Sequence, residues 1–282
     1  KLGIVGAGTM GRGIATDAVL HGLSVALVDH QPKALQEAEA EIAKAVRFAP
    51  MMKPGLPRVS KSAIKEALFL SQELNSLADC EFIIENVSEK LEPKQTVHQA
   101  LDRICRPDVC FGINTSCLSI TQIASVTNRP EQVVGIHFMN PVFLKPVVEV
   151  MRGSHTSSAT IDAVKGMLSV LEKDAIIVQD LPGFVSNRIS HLFMNEAMWV
   201  VQDQVASAEQ VDQIFKQCFG HTMGPLETAD LIGLDVVKDS LQVLYENYQD
   251  PKFRCCPLLS LKVNAGELGR KSGAGFFNYP GE

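Results

Sequence analysis

Two residues of types suited to acid–base chemistry stand in consecutive apolar runs of the sequence. His137 ends the run Val133–His137, and Glu149 lies within the run Val147–Met151. A histidine titrates near working pH, at about 6.5, so it is able to take a proton from a substrate hydroxyl. A carboxylate beside it would fix its tautomer and stabilise the imidazolium. The pair therefore predicts a general base with its partner, although the spacing alone also fits two unrelated surface residues.

A glycine-rich segment near the start of the chain predicts a dinucleotide site. Residues 6–11 read Gly-Ala-Gly-Thr-Met-Gly, follow the apolar run Leu2–Val5 and open a helical pattern. Glycines at these positions allow a sharp turn, close approach of backbone to a pyrophosphate and tight helix–strand packing. The N-terminus of the helix then offers N–H groups to the phosphates. The alternative is a glycine turn in some other α/β protein.

Asp29 decides the expected cofactor. It ends the next apolar run, Ser24–Val28, where a carboxylate would accept hydrogen bonds from the adenosine ribose and repel a 2′-phosphate. NAD is therefore favoured over NADP, although the neighbouring His30 weakens the preference. The residues of this part of the chain predicted to bind NAD are Gly6, Gly8, Thr9, Met10, Gly11 and Asp29.

The order of apolar runs and helical patterns predicts the fold class. Strands and helices alternate up to Pro182-Gly183, and only helical patterns follow. Such alternation is typical of a Rossmann-type, doubly wound, mostly parallel α/β sheet, here with a helical hairpin insertion at about 31–70, broken by Pro50 and the turn at 54–57. We expect an NAD-binding domain at 1–180 and an all-α C-terminal domain at 181–282. The predicted strands are Leu2–Val5, Ser24–Val28, Phe82–Ile84, Val109–Ile113, Val133–His137, Val147–Met151 and Asp174–Val178, and further predicted helices are Pro93–Ile104, Ile120–Ser125, Arg188–Gln202, Ala208–Phe219 and Asp235–Tyr248.

Composition narrows the function classes. The formal net charge of −6 argues against a nucleic-acid or anionic-membrane surface, and no apolar run reaches the ~18 residues of a membrane span. The chain has seven cysteines, without metal-ligand spacing or the pattern of a secreted disulfide scaffold. We expect reduced thiols in a cytoplasmic protein with no bound metal.

Several motifs together resemble the L-3-hydroxyacyl-CoA dehydrogenase family, in family order and over nearly the whole chain. That resemblance implies an NAD-dependent enzyme that interconverts 3-hydroxyacyl and 3-oxoacyl thioesters and works as a homodimer. The matching segments are residues 6–11, Asn114-Thr115-Ser116, the block from His137 to Glu149, Pro182 to Arg188, Met223 to Glu227, Asp230 to Asp235, and Gly269 to Phe276.

The resemblance implies roles for four catalytic residues. His137 corresponds to the family's base and Glu149 to the carboxylate that orients it. Ser116 and Asn187 correspond to the polar residues that hold the 3-oxygen and the thioester carbonyl. The alternatives are that Ser116 or Ser119 caps a helix, and that Asn187 satisfies backbone groups at a helix start.

Three further positions are implied to line the pocket. Glu89 and Lys94 fall where the family contacts the nicotinamide half of the cofactor and nearby substrate groups, and Asn140 lies in the loop that shapes the pocket. Without the resemblance, a solvated surface lysine would be the default interpretation of Lys94.

The sequence departs from the family pattern around this pocket. After Asn140-Pro141 the lysine of the predicted substrate loop is shifted by one position, to Lys145, and Cys117 replaces the second serine of the family's Asn-Thr-Ser-Ser. These changes resemble a subgroup from polyketide gene clusters that oxidises glyceryl groups on acyl carrier protein. The sequence therefore leaves the carrier open between coenzyme A and acyl carrier protein.

Two rival hypotheses remain. A β-hydroxyacid dehydrogenase with a lysine as its acid/base shares the domain plan, but the pair His137–Glu149 and the segment beginning at Met223 argue against it. A non-catalytic NAD-binding protein on the same fold is the second rival, and the retention of Ser116 and Asn187 argues against it.

Overall fold

The computed structural model describes residues 1–280, which form two compact units, the first spanning Lys1–Asp180 and the second beginning at Leu181. All strands of the main sheet belong to the first unit. They are β1 (Leu2–Val5), β2 (Val25–Val28), β3 (Leu68–Ser71), β4 (Phe82–Glu85), β5 (Cys110–Ile113), β6 (Val133–His137), β7 (Val147–Arg152) and β8 (Asp174–Gln179).

The sheet has the order β3-β2-β1-β4-β5-β6-β7-β8. The six strands from β3 to β6 are parallel, β7 pairs antiparallel with β6, and β8 runs parallel to β7. The strand order reverses between β1 and β4, and in such sheets ligands bind beyond the carboxyl ends of the strands at this switch point. Strands β1, β2 and β4 are buried along their whole length, which explains their unbroken apolar sequences.

The helices of the first unit surround this sheet. They are α1 (Thr9–Leu20), α2 (Pro32–Met52), α3 (Lys61–Ala67), α4 (Leu91–Ile104), α5 (Ile120–Ala124) and α6 (Ser158–Val170). Helix α2 packs along α1, and the shared core contains Ile4, Ile14, Leu27, Ile42 and Ile84, all fully buried.

The second unit is helical and has its own core, which includes Met198, Leu226 and Leu241. Its helices are α7 (Ser186–Gln202), α8 (Ala208–Cys218), α9 (Pro225–Ile232), α10 (Leu234–Tyr248) and α11 (Pro257–Asn264). Helix α8 begins with a capping box, in which Ser207 and Gln210 satisfy each other's backbone amides.

The fold class is confirmed, with corrections in detail. The helical hairpin predicted at about 31–70 extends too far, because Leu68–Ser71 forms the edge strand β3. Pro50 does not interrupt α2, which continues to Met52. The sequence patterns also missed helices α6, α9 and α11.

Within residues 1–280, no helix is both long and apolar enough to cross a membrane. In the same range, no group of His, Cys, Asp and Glu side chains is arranged to hold a metal ion. The cysteines carry free thiols, and only Cys218 is exposed.

Candidate active site

The glycine loop between β1 and α1 has the geometry of a phosphate-binding turn. Gly6 has a φ of +96°, and a Cβ there would lie 2.6 Å from the Asn86 carbonyl oxygen. A Cβ on Gly11 would lie 1.8 Å from the Gly6 carbonyl oxygen, so both positions require glycine. Gly8 faces open space and caps α1 without a side chain, which leaves the helix N-terminus accessible to phosphates.

The carboxylate of Asp29 is held beside this loop. Its Oδ2 accepts a hydrogen bond from the Ala7 amide at 2.8 Å, and its Oδ1 accepts one from the Gln31 amide at 2.9 Å. These bonds orient the carboxylate and leave acceptor capacity for ribose hydroxyls. The His30 side chain is 86% exposed, with Nδ1 3.4 Å from Asp29 Oδ1. The loop and Asp29 therefore fit the adenosine and pyrophosphate parts of a dinucleotide.

The antiparallel pairing of β6 and β7 brings His137 and Glu149 together. The two residues are directly opposite in the register, and His137 Nδ1 lies 3.1 Å from Glu149 Oε2. Both side chains are over nine-tenths buried. Because a carboxylate only accepts hydrogen bonds, this contact places the proton of the neutral imidazole on Nδ1 and leaves Nε2 as the acceptor.

Ser116 lies beside the second ring nitrogen of this imidazole, with Oγ 3.5 Å from His137 Nε2. It belongs to the turn that follows β5, at the same carboxyl edge of the sheet as the glycine loop. The helix cap in this turn is Ser119, whose side chain accepts from the Gln122 amide. The helix-cap interpretation therefore applies to Ser119 and not to Ser116.

Glu89 holds the turn that carries Ser116. Its Oε1 accepts hydrogen bonds from Thr115 Oγ1 at 2.6 Å, from the Ser116 amide at 2.7 Å and from the Cys117 amide at 3.1 Å. A single carboxylate oxygen thus orders three consecutive residues. The predicted contact of Glu89 with the nicotinamide half of the cofactor stays a prediction.

Lys94 is fully buried, so the alternative of a solvated surface lysine is wrong. Its ammonium donates to Glu85 Oε1 at 2.9 Å and to the Asn114 carbonyl at 2.8 Å, which ties the ends of β4 and β5 together. It also lies 3.7 Å from Glu89 Oε2. The predicted role of Lys94 toward the cofactor stays a prediction beside this structural one.

Glu85 completes a buried charged cluster with Lys94 and His98. Burial raises the pKa of Glu85, but the hydrogen bond from His98 and the nearby Lys94 charge outweigh it and hold that pKa below its ordinary value. The cluster therefore contains an ionised carboxylate beneath the turn that carries Ser116. Sequence reasoning missed Glu85, because only the folded sheet shows that its strand end faces Lys94.

The remaining predicted residues lie in two places. Asn140 and Lys145 are exposed in the loop that joins β6 to β7, where the Asn140–Pro141 peptide bond is cis. Asn187 lies in the first turn of α7, in the second unit, and its carbonyl oxygen is 2.9 Å from His191 Nδ1. The substrate contacts proposed for these three residues stay predictions. Asn114, to which the sequence assigned no individual role, accepts the Phe138 amide through Oδ1 at 3.3 Å and so holds the end of β6.

A glycine fingerprint at the switch point and a histidine–carboxylate pair at the same edge of the sheet define a dinucleotide-dependent oxidoreductase acting on a hydroxyl or carbonyl group. Comparison with known proteins makes this specific. The family model of the 3-hydroxyacyl-CoA dehydrogenase NAD-binding domain matches residues 1–181, and that of the 3-hydroxyacyl-CoA dehydrogenase C-terminal domain matches residues 183–279. The chain belongs to the 3-hydroxyacyl-CoA dehydrogenase family, and its cofactor is NAD.

Full-length relatives agree with this assignment. The chain is 40% identical to 3-hydroxybutyryl-CoA dehydrogenase of Bradyrhizobium diazoefficiens, over 100% of this chain and 96% of that protein. It is 42% identical to a probable 3-hydroxybutyryl-CoA dehydrogenase of Bacillus subtilis, over 98% of this chain and 96% of that protein. The crystal structure of (S)-3-hydroxybutyryl-CoA dehydrogenase from Ralstonia eutropha matches with a TM-score of 0.92 at 37% identity, covering 99% of this chain and 98% of that chain.

Proposed function

We propose that this protein oxidises a short 3-hydroxyacyl-CoA thioester, of the 3-hydroxybutyryl-CoA type, to the 3-oxoacyl thioester with NAD. One observation carries the proposal: the pair His137–Glu149, with Ser116 beside it, lies at the same edge of the sheet as the glycine loop. A base placed there acts on a hydroxyl group whose carbon faces the cofactor.

The chain's own residues supply acid–base chemistry and orientation. Bound NAD supplies the two-electron acceptor for C3 of the substrate. His137 Nε2 takes the proton of the 3-hydroxyl group, while Glu149 holds the ring and stabilises the imidazolium. Ser116 Oγ, next to Nε2, holds the substrate oxygen, and Asn187 holds the thioester carbonyl. In the reverse direction, His137 returns the proton to the 3-oxo group.

A serine–histidine–glutamate arrangement also resembles a hydrolase triad, but the turn argues against that use. Acyl transfer to a serine needs hydrogen-bond donors, commonly backbone amides next to the serine, aimed at the developing oxyanion. Here the amides of Ser116 and Cys117 donate to Glu89, and the amide of Leu118 donates to Thr115 Oγ1. These donors are already engaged with the protein, which favours oxidation over thioester hydrolysis.

The carrier and the assembly are the finer parts of the proposal. We propose coenzyme A rather than acyl carrier protein, because the relatives that match over their whole length are named for coenzyme A thioesters. We also propose a homodimer formed through the second unit, whose helices expose large apolar side chains. These include Ile189, Leu231, Ile232 and Val236, and Phe219, the residue that follows α8, is exposed as well. Sedimentation velocity tests this, because a dimer is expected for the parent protein and a monomer for an Ile189→Asp variant, whereas a monomeric parent contradicts the dimer.

The test of the function compares the parent protein with His137→Gln and, as a matched control, with His155→Gln, since His155 is an exposed histidine. NADH formation is followed with L-3-hydroxybutyryl-CoA and, in parallel, with glyceryl-loaded acyl carrier protein at equal concentration. We expect the parent protein to turn over the coenzyme A thioester. This turnover should fall by about 10²- to 10⁴-fold in His137→Gln and stay unchanged in His155→Gln.

NAD affinity, measured separately, is expected to stay within about twofold in both variants, because neither histidine is among the residues predicted to bind NAD. Near-normal turnover by His137→Gln contradicts the assignment of the base. Turnover of the acyl carrier protein substrate alone contradicts the carrier. Tight NADH binding without oxidation of either thioester contradicts the enzyme function altogether.

A further inference from the structure

A buried ion pair outside the catalytic residues connects the dinucleotide-binding helix to the active-site loop. Lys173, which immediately precedes β8, has its ammonium 3.0 Å from Asp17 Oδ2 in α1. The two side chains are 2% and 0% exposed. An ion pair this deep is costly to desolvate unless both groups are fully hydrogen-bonded, so its further contacts are informative.

The remaining donors of Lys173 go to the loop between β6 and β7. Its Nζ donates to the carbonyl oxygens of Val142 at 2.7 Å and of Lys145 at 2.8 Å. With Asp17, these two carbonyls account for the three N–H groups of the ammonium. One buried cation therefore joins helix α1 to both ends of a short 3-10 turn, Val142–Leu144.

This turn also packs directly on α1. A Cβ added at Gly13 would lie 2.9 Å from Val142 Cγ2, so the helix and the turn meet without space for a side chain. Thr9, at the start of α1, and Asn140, in the loop, line one cavity of about 190 Å³. The loop that Lys173 holds is thus a wall of the space next to the dinucleotide site.

The loop of residues 138–146 connects the base to its partner. It leaves β6 after His137 and enters β7, which carries Glu149. Within this loop, Lys173 contacts the backbone carbonyls of Val142 and Lys145, so its ammonium acts on the segment that joins His137 to Glu149.

We propose that Lys173 is a positioning residue for the reaction: its ammonium, neutralised by Asp17, holds the 138–146 loop against helix α1 in the form that admits the thioester. The inference rests on the proposed function for its kinetic consequences but not for the contact itself. Removal of the ammonium loosens the loop, raises KM for the thioester and lowers kcat. NAD affinity changes little, because Lys173 does not touch the glycine loop.

The experiment separates loop positioning from a loss of stability. Lys173→Met removes the ammonium and leaves the buried Asp17 carboxylate without its lysine partner, with His21 Nδ1 3.4 Å from Oδ1, which endangers folding. The double variant Asp17→Asn, Lys173→Met removes both charges, so it is expected to fold while still lacking the donors to Val142 and Lys145. A matched control is Arg129→Met, since Arg129 is also a cation tied to an aspartate, Asp102 at 2.7 Å, and to backbone carbonyls, but away from the loop.

Hydrogen exchange of the Leu144 and Lys145 amides is measured together with kcat, KM and NAD affinity. We expect these amides, which donate to Pro141 and Val142 in the turn, to exchange at least about tenfold faster in the double variant and at the parent rate in Arg129→Met. We also expect kcat/KM for the thioester to fall by about 10- to 100-fold in the double variant only.

Two other outcomes would overturn the proposed role of Lys173, and a third would overturn the proposed function. Unchanged exchange of the two amides shows that Lys173 does not hold the loop. Faster exchange with turnover within about twofold of the parent shows that the held form is not needed for the reaction. A parent protein that oxidises no thioester refutes the proposed function, and the exchange measurement still decides whether the contact orders the loop.

Discussion

His137 and Glu149 are directly opposite each other on two antiparallel strands, with Nδ1 and Oε2 3.1 Å apart in a buried setting. The strand pairing itself, rather than a flexible loop, sets the distance between the imidazole and the carboxylate. Sites built on paired strands hold their geometry more closely than sites on loops. This relationship leads directly to the first prediction.

Replacement of Glu149 by glutamine should abolish most of the activity without unfolding the protein. The amide has nearly the same volume, but it no longer stabilises the imidazolium and it can present its NH₂ group to Nδ1, which favours the wrong tautomer. We expect kcat to fall by about 10²- to 10⁴-fold, with NAD affinity unchanged. Steady-state kinetics with L-3-hydroxybutyryl-CoA checks this, with Glu172→Gln, at an exposed glutamate, as control. A kcat within threefold of the parent would mean that Glu149 does not serve the base.

Gly8 and Gly11 should respond differently to alanine. The Cβ of Gly11→Ala would overlap the Gly6 carbonyl oxygen, so we expect a loss of about 1–3 kcal/mol in the free energy of unfolding. The Cβ of Gly8→Ala meets no protein atom within 4 Å, so stability should be unchanged. It would, however, occupy the space where the pyrophosphate approaches, and we expect NAD affinity to fall by about tenfold. Chemical denaturation and NADH fluorescence titration measure the two effects, and equal NAD affinity in Gly8→Ala and the parent would contradict the phosphate site.

Asp29→Asn should reduce the discrimination between NAD and NADP. The asparagine keeps an acceptor for the Ala7 amide, so the glycine loop stays supported. The negative charge that repels a 2′-phosphate is lost, and we expect the ratio of kcat/KM for NAD to that for NADP to fall by at least about tenfold. The ratio is measured with one thioester at saturation. If it does not change, the selectivity comes from residues other than Asp29.

His21 should make stability depend on pH. Its hydrogen bond to Asp17 outweighs burial and raises the pKa of His21 above its ordinary value. A raised folded-state pKa stabilises the fold fully below the unfolded value, about 6.5, and this contribution is lost as pH rises through the raised pKa. As the pH rises above about 6.5, the parent should therefore lose more unfolding free energy than His21→Gln. Urea denaturation at several pH values checks this, with His155→Gln expected to follow the parent; parallel curves for the parent and His21→Gln would contradict it.

The sequence predicted those strands and helices whose apolar pattern matches their burial in the folded protein. Strands such as β1 and β4 are short, wholly buried and apolar, and turns or polar residues bound them. Strand β3 was missed because α3 runs into it without a glycine or proline, and because an edge strand is only partly buried. In α2, Pro50 lies only two residues before the last residue, where the helix is ending anyway.

For the candidate site, the sequence predicted which residues belong to it but not the contacts that hold those residues in place. The structure brings the predicted residues His137, Glu149 and Ser116 together, and their catalytic roles stay predictions. Strand β7 runs antiparallel to β6, which places Glu149 opposite His137. The sequence pattern of a single strand does not indicate its direction in the sheet, so this pairing could not be predicted. The burial of Lys94 depends on Glu85, which is on a different element and has no spacing that reveals the partnership.

The β6–β7 register also bears on which genetic changes this enzyme tolerates. Successive side chains of a strand point to opposite faces of the sheet, so one residue inserted within either strand would turn His137 or Glu149 away from the other. An insertion in the loop between the strands leaves that alignment intact, because the backbone ladder and not the loop length fixes it. The two strands are therefore expected to vary by substitution alone, whereas the loop between them is constrained separately, through the contacts of Lys173 with the Val142 and Lys145 carbonyls.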